Sequence, residues 1–347
     1  MPWAEAFIKA QHSSTAETGG ERQLSYAEAL HEALDLAMEL DPNVFVIGQG
    51  ADTPPNGMFG VTRGFWDKFG HDRCIDSPLS EAAITGVCTG AAMAGMRPVY
   101  LHNRPDFLYL AMDQLANHAA KIHYMDAGKS KVPMVIWAPI ARGWGSGSQH
   151  SQALQGLMIG IPGIKIIAPS TPYDAKGLLL SAIADNNPVL FFDHRFVMRQ
   201  SGPVPAGLYQ IPIGQAVYRE RGSDLTLVGS SHTLLLAQQA LAQIRQDKAV
   251  SADVIDLRTL KPLDEGAIIE SVQRTGRLVV VDTGWNIGGV TAEIAALAAE
   301  HCYRELRAPV KRIGLPDAPT PAGYSLEQAY YPTADSIRKT IEEVLSV

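Results

Sequence analysis

The sequence predicts an α/β fold of two doubly wound domains in tandem. Three observations carry that expectation: strand-length apolar runs alternate with helical patterns, the alternation halts at a Gly- and Pro-rich stretch and then restarts, and 347 residues are too many for one ordinary core. The polar start, residues 1–22, reads as an arm. Ser25 and Glu28 then form a capping box ahead of Leu30, Leu34 and Met38, and Asp41-Pro42 stops that helix before a strand at 43–47. A second strand closes at Asp76 and a helix opens at Glu81. Further strands are expected at 98–101, 133–138, 164–168 and 188–193, separated by helices near 106–126, 151–159 and 172–184. Residues 200–207, Gln-Ser-Gly-Pro-Val-Pro-Ala-Gly, read as a linker. Strands at 224–229, 252–256, 277–282 and 310–314 follow, with helices near 233–246, 264–274, 288–301 and 333–345. The expected division is an arm at 1–22, a first domain at 23–197, a linker at 198–214 and a second domain at 215–347.

Composition narrows the classes of function. A net charge of −7 without a long basic run argues against nucleic acid as the main partner. Cys74, Cys88 and Cys302 are far apart and form no C-x-x-C pair, so neither a disulfide framework nor a zinc site is indicated, and a reducing cytoplasm is the expected compartment. The apolar runs are broken well short of the roughly 18 residues a membrane span needs, and residues 1–22 contain no signal-peptide core.

The stretch Asp76-Ser77-Pro78-Leu79-Ser80-Glu81 aims a carboxylate at a strand-to-helix crevice, where open α/β sheets bind ligands. An acid in the first turn is also simply a good partner for the helix dipole. The following helix, 82–96, has almost no charge and holds Gly86, Gly90 and Gly95, each costing about 1 kcal/mol of helix propensity. Such a helix is expected to be buried and closely approached, and burial would suit Glu81 to proton chemistry. Phe107 lies in a run with Leu108, Leu110 and Met112 and by itself reads as core. His150 ends a glycine-rich loop that carries neither a Walker lysine nor a dinucleotide fingerprint, so phosphate binding is weakly supported. A loop histidine is either solvated or catalytic, and the residues alone leave both open. Asp185-Asn186-Asn187-Pro188 reads as a good turn.

Taken in order, Arg73 to Glu81, Asp106-Phe107 through Asp113-Gln114, Gln149-His150-Ser151-Gln152, Pro169 to Leu178, Asp185 to Pro188, Leu257 to Asp264 and Gly284-Trp285 resemble the β subunit of 2-oxoacid dehydrogenases, in their thiamine diphosphate-dependent decarboxylating component. The resemblance spans about residues 22–347. It is strongest to the pyruvate and branched-chain type and weaker to transketolase. It implies a pyrimidine-binding domain followed by a transketolase C-terminal-like domain, and an α₂β₂ heterotetramer in which the α subunit holds the diphosphate and its Mg²⁺. The chain agrees by omission, having no Gly-Asp-Gly followed some thirty residues later by Asn-Asn. The implied reaction is decarboxylation of a 2-oxo acid, the acyl unit passing to lipoamide on a lipoyl-bearing acyltransferase or to another acceptor.

Residue by residue, the resemblance gives Glu81 the role of holding a proton at the pyrimidine N1′ nitrogen, Leu79 that of offering backbone groups to the same ring, and Phe107 that of stacking on it. His150 would face the substrate end of the site. Asp185 and Asn187, with the backbone oxygens of Met134 and Ala182, match a potassium site. Departures matter as well. Gln49 stands where an acid is common, and Trp137 where an arginine is frequent. His102 and Arg104 would place positive charge near the substrate entrance, although Arg104 could instead pair with Asp106 or the α subunit. Two rival readings are compatible with the residues: a split transketolase-like ketol transferase acting on sugar phosphates, and a non-catalytic assembly or regulatory subunit.

Overall fold

The computed structural model describes residues 2–13 and 22–347. The chain divides into two compact units, one formed by residues 1–140, 161–167 and 171–213, the other by 141–160, 168–170 and 214–347.

In the first unit the Ser25 hydroxyl accepts the Glu28 N–H at 3.3 Å while Glu28 accepts the Ser25 N–H at 2.7 Å, so two orphan donors are satisfied where the helix Tyr26–Leu40 begins. Leu30, Leu34 and Met38 are buried along one face of it, as their spacing requires. Six strands of this unit run parallel in the order Lys165–Ile167, Val189–Phe191, Val135–Trp137, Arg97–Leu101, Val44–Gly48, Cys74–Asp76. Every residue of Val44–Gly48 and of Arg97–Leu101 is buried, the signature of a parallel sheet covered on both faces. The order of strands reverses between Val44–Gly48 and Arg97–Leu101. At such a switch point the connections leave toward opposite faces and open a crevice at the strands' carboxyl ends.

Gly48 lies at that end, and a Cβ there would come within 2.4 Å of the Leu101 carbonyl oxygen and 2.7 Å of its Cβ. Backbone of a paired strand cannot retreat cheaply. Gly48→Ala is therefore expected to lower stability by about 1–3 kcal/mol in a urea titration, and an unchanged midpoint would contradict this packing.

Three elements of this unit differ from the sequence expectation. The stretch read as a linker is ordered, because Ser201–Pro203 pairs antiparallel with Gln23–Ser25 and the Val204 N–H donates to the Arg22 carbonyl at 2.9 Å. The pair is two-stranded, so Pro203 lacks a second neighbour to which it would owe an N–H. The single helix expected at 106–126 is instead a 3₁₀ segment Pro105–Ala111, a wider π-type segment Asp113–Ala119 and one α turn Ile122–Met125. The polar start contains a helix, Pro2–Ser13, whose Trp3 is buried and donates its indole N–H to Asp41 at 2.9 Å. The remainder of the arm expected at 1–22, residues 14–21, lies outside the described residues.

In the second unit the sheet order is Lys311–Leu315, Leu278–Trp285, Leu225–Gly229, Ala252–Asp256, Val217–Glu220, all parallel except the last, an edge strand. Leu225, Leu227, Val254 and Val279 of the sheet pack with Leu234 and Leu241 of the helix Ser231–Ile244 and with Ile337 and Ile341 of Ala334–Leu345. Among the described residues no helix is long and apolar enough to cross a membrane. All three cysteines are free and buried, and burial pushes the Cys74 thiol up to about 11 and Cys88 to about 12, leaving both inert as nucleophiles near neutral pH.

Candidate active site

The loops that leave the carboxyl ends of the first sheet assemble the candidate site. After Val44–Gly48 the chain turns at Gly50, whose φ of +74° suits glycine, and its N–H donates to Asp76 at 2.6 Å. The Ser77 N–H donates to the Gly48 carbonyl at 3.1 Å. These two bonds tie the turn carrying Gln49 to the loop carrying Leu79 and Glu81. Leu79 is 78% exposed at the tip of that loop. Glu81 opens the helix Glu81–Met93, whose N-cap Ser80 gives no side-chain hydrogen bond.

Among the described residues the Glu81 carboxylate has no hydrogen-bond or ion-pair partner, although it is half-buried. Its charge is felt below: the phenol of buried Tyr100 is raised well above its usual range, by burial first and by Glu81 second. A carboxylate at a helix N-terminus, in a switch-point crevice and without a partner among the described residues, fits a ligand that presents a hydrogen-bond donor. The helix behind it is not fully buried as the sequence implied. Ile84, Thr85, Cys88, Thr89 and Ala92 face inward, whereas Val87 and Met93 are 55% and 48% exposed and a Cβ at Gly90 would meet nothing within 4 Å. The absence of charge along this helix leaves an uncovered apolar face in the single chain.

The loop after Arg97–Leu101 supplies the third side of the site. The His102 N–H donates to the Trp137 carbonyl at 2.8 Å, and Phe107 begins a turn on the Arg104 carbonyl at 3.1 Å with its ring half-buried. His102 does not bring the positive charge expected of it. It is 1% exposed, its Nδ1 lies 2.9 Å from the Arg104 carbonyl, and burial pulls its pKa down to about 4, so the ring is neutral at pH 7. Burial also lowers Arg104, against which the charge of Asp106 works.

Leu79, Glu81, His102, Arg104 and Phe107 thus share the first unit. His150 is exposed on the segment 141–160, which clusters with the second unit. The residues matched to a potassium site already satisfy one another. Asp185 receives the Lys165 ammonium on Oδ2 and the Asn187 N–H on Oδ1 at 2.9 Å, and the Met134 carbonyl accepts the Val189 N–H at 3.0 Å. Arg97 donates to the carbonyls of Ile183 and Asp185 at 2.8 and 2.9 Å. These bonds hold Asp185, Asn187 and the Met134 carbonyl on partners within the first unit. No group of three or more His, Cys, Asp or Glu among the described residues could hold a metal.

Comparison with known proteins decides the family. The transketolase pyrimidine-binding domain matches residues 22–200 and the transketolase C-terminal domain matches 214–337. The β subunit of the acetoin:2,6-dichlorophenolindophenol oxidoreductase of Bacillus subtilis (strain 168) is 40% identical, covering 93% of this chain and 98% of its own. The 2-oxoisovalerate dehydrogenase β subunit of the same organism is 39% identical over 92% and 98%, and the pyruvate dehydrogenase E1 β subunit of Rickettsia felis 38% over 93% and 98%. The chain belongs to the 2-oxoacid dehydrogenase E1 β subunits. This family is thiamine diphosphate-dependent. A split-gene transketolase, solved as an inactive β₄ tetramer, has the same fold with a TM-score of 0.73 at 23% identity, covering 93% of this chain and 98% of that one.

For an E1 β subunit, several buried polar groups are ones that sequence reasoning passed over. Asp193 is fully enclosed and accepts the Trp137 indole N–H at 3.0 Å. Gln155 donates to both oxygens of buried Asp282 at 3.0 Å. Glu327, 3% exposed, accepts the Gly143 N–H at 2.7 Å. Each lies far in sequence from its partner, so no local spacing signals it. The departure at Trp137 was the only clue available.

Proposed function

We propose that this E1 β subunit works with an α subunit to bind thiamine diphosphate and decarboxylate a 2-oxo acid, with Glu81 as the proton-holding residue of its half of the site. The observation that carries the reading is the half-buried Glu81 carboxylate, without a partner among the described residues, at the crevice of the first sheet. When bound, the cofactor supplies the electron sink on which the carbon–carbon bond is cleaved. Glu81 holds a proton at the pyrimidine N1′ atom, the exposed loop at Leu79 offers backbone groups, and the Phe107 ring gives a stacking surface worth about 0.5–1.5 kcal/mol beyond burial. His150 orients the substrate carboxylate or the acyl acceptor. The diphosphate and Mg²⁺ fall to the α subunit, since this chain lacks the Gly-Asp-Gly signature. The uncovered apolar face of Glu81–Met93 supports burial against a partner chain in an α₂β₂ assembly. Transfer to lipoamide on an acyltransferase is the expected fate of the acyl unit.

A second reading follows from the charge balance at 102–106. With His102 neutral, the entrance carries one positive charge fewer than its two basic residues would give, and Asp106 acts on the one that remains. A neutral hydroxyketone, the substrate class in the name of the acetoin relative, suits that balance. The test is calorimetric titration of thiamine diphosphate into the co-expressed α–β pair, followed by turnover on 2-oxo acids and on hydroxyketones with a dye acceptor. Saturable binding with turnover only on oxo acids supports the first reading. Turnover only on hydroxyketones supports the second, and no cofactor binding overturns both.

A further inference from the structure

The loop that carries His150 has no regular structure and contains Gly143, Gly145 and Gly147, all at positive φ. Left alone, such a segment would sample many conformations, because glycine loses the most freedom on ordering. A single stretch of the same unit, residues 320–331, is arranged against it at every turn. The Gly143 N–H donates to Glu327 at 2.7 Å, and the Ser148 hydroxyl donates to the Thr320 carbonyl at 2.8 Å. The Tyr331 hydroxyl donates to the Ser151 carbonyl at 3.3 Å, immediately after His150. A Cβ at Gly145 would lie 3.1 Å from the Ala322 carbonyl oxygen, and one at Gly147 3.3 Å from the Ala322 Cβ, so the two backbones are in close contact where side chains would separate them.

Two buried charges anchor this arrangement. Glu327 is 3% exposed and sits in the short helix Tyr324–Tyr330. Arg142, adjacent to Gly143 and 7% exposed, has its guanidinium 3.8 Å from the centre of the Tyr331 ring. Burial lowers Arg142, and the neighbouring Tyr331 phenol and Glu327 carboxylate work against that shift. Enclosing opposite charges costs desolvation that their attraction must offset, and here both touch the residues that open the loop.

We propose that Glu327 is a positioning residue for His150: by accepting the Gly143 N–H beside the Arg142–Tyr331 stack, it fixes the loop that presents the imidazole. The inference rests on the reading of His150 as a substrate-facing residue. A carboxylate or an amide oxygen can accept the Gly143 N–H, so Glu327→Gln keeps that bond while removing the charge that acts on Arg142.

The test uses the assembled α–β enzyme with Glu327→Ala, Glu327→Gln, His150→Asn and the Glu327→Ala/His150→Asn double variant. Expected is a fall in kcat/KM of about 10- to 100-fold for Glu327→Ala, the cost of displacing a reacting group by about 1 Å. Glu327→Gln should recover activity to within about threefold of the parent, because it keeps the acceptor. In the His150→Asn background Glu327→Ala should add less than about twofold, since a loop without its imidazole has nothing left to position. If Glu327→Ala does not assemble, Ser148→Ala, which removes the Thr320 tether, carries the same cycle with His150→Asn. Full additivity in the double variant, or full activity of Glu327→Ala beside an impaired His150→Asn, overturns the positioning role alone. A fully active His150→Asn overturns the reading beneath it and the proposal together.

Discussion

Glu81→Gln is expected to lower kcat of the assembled enzyme by about 10²- to 10⁴-fold, the range lost when a positioned proton-transfer group is removed. Glutamine has nearly the same shape and keeps a hydrogen-bonding oxygen, but its amide cannot hold a negative charge or take up a proton at the pyrimidine. Folding should change little. Glu81 contributes to its helix mainly through the dipole, about 0.3–1 kcal/mol for a surface acid in the first turn, and among the described residues no hydrogen bond or ion pair is lost with it. The thermal midpoint of the complex should therefore stay close to that of the parent while turnover collapses. Cofactor titration separates binding from chemistry: Glu81→Gln should still bind thiamine diphosphate, more weakly, because the diphosphate is held elsewhere. A variant retaining half or more of the parent kcat would remove Glu81 from the chemistry. The opposite control is Gly48→Ala, which should lower stability through backbone crowding at the floor of the same crevice.

The sequence made the fold legible where periodicity and punctuation agreed. Ser25 with Glu28 and then Leu30, Leu34 and Met38 leave little choice but a capped amphipathic helix, and 43–47 and 98–101 are too apolar and too short for anything but buried strands. Residues 106–126 show where periodicity misleads. Their apolar spacing suits a helix of some kind, but it does not distinguish 3₁₀ or π turns from α, and tertiary packing made that choice. Ser201–Pro203 shows the reverse: turn-forming residues form a strand because Gln23–Ser25, far away in sequence, supplies the pairing. In the candidate site, the placement of Glu81 at a helix start was legible because a strand end, a cap position and an uncharged helix coincide within a few residues. The neutrality of His102 was not, since it depends on enclosure by residues that are not its neighbours in sequence. The same holds for Glu327 at Gly143, a contact spanning 184 positions.

The enclosed acid Asp193 yields the second large expectation, a pH-dependent stability that Asp193→Asn should abolish. The carboxyl accepts the Trp137 N–H at 3.0 Å and a hydrogen bond from Tyr26. Burial outweighs both bonds and pushes it from its ordinary 3.8 up to about 7. Tryptophan explains why the bonds lose. It offers a single N–H and no charge, whereas an arginine would bring a full charge and five donors. Between about 3.8 and 7 the folded protein keeps a proton that the unfolded chain has released, so this group's contribution to stability is complete below the lower value, falls as pH rises, and is flat above about 7. A rise from 3.8 to about 7 corresponds to about 4 kcal/mol. Asparagine keeps an oxygen for the Trp137 N–H and has no proton to lose. Asp193→Asn should accordingly match the parent within about 1 kcal/mol at pH 4 and exceed it by about 2–4 kcal/mol at pH 8 in urea titrations. His102 and His232, both pulled down by burial to about 4, contribute the opposite slope between about 4 and 6.5. Because parent and variant share them, they cancel in the difference. The difference curve thus isolates Asp193, and a curve that stays flat from pH 4 to 8 would mean that the carboxyl titrates alike in the folded and unfolded chain, which complete enclosure beside an uncharged indole does not allow.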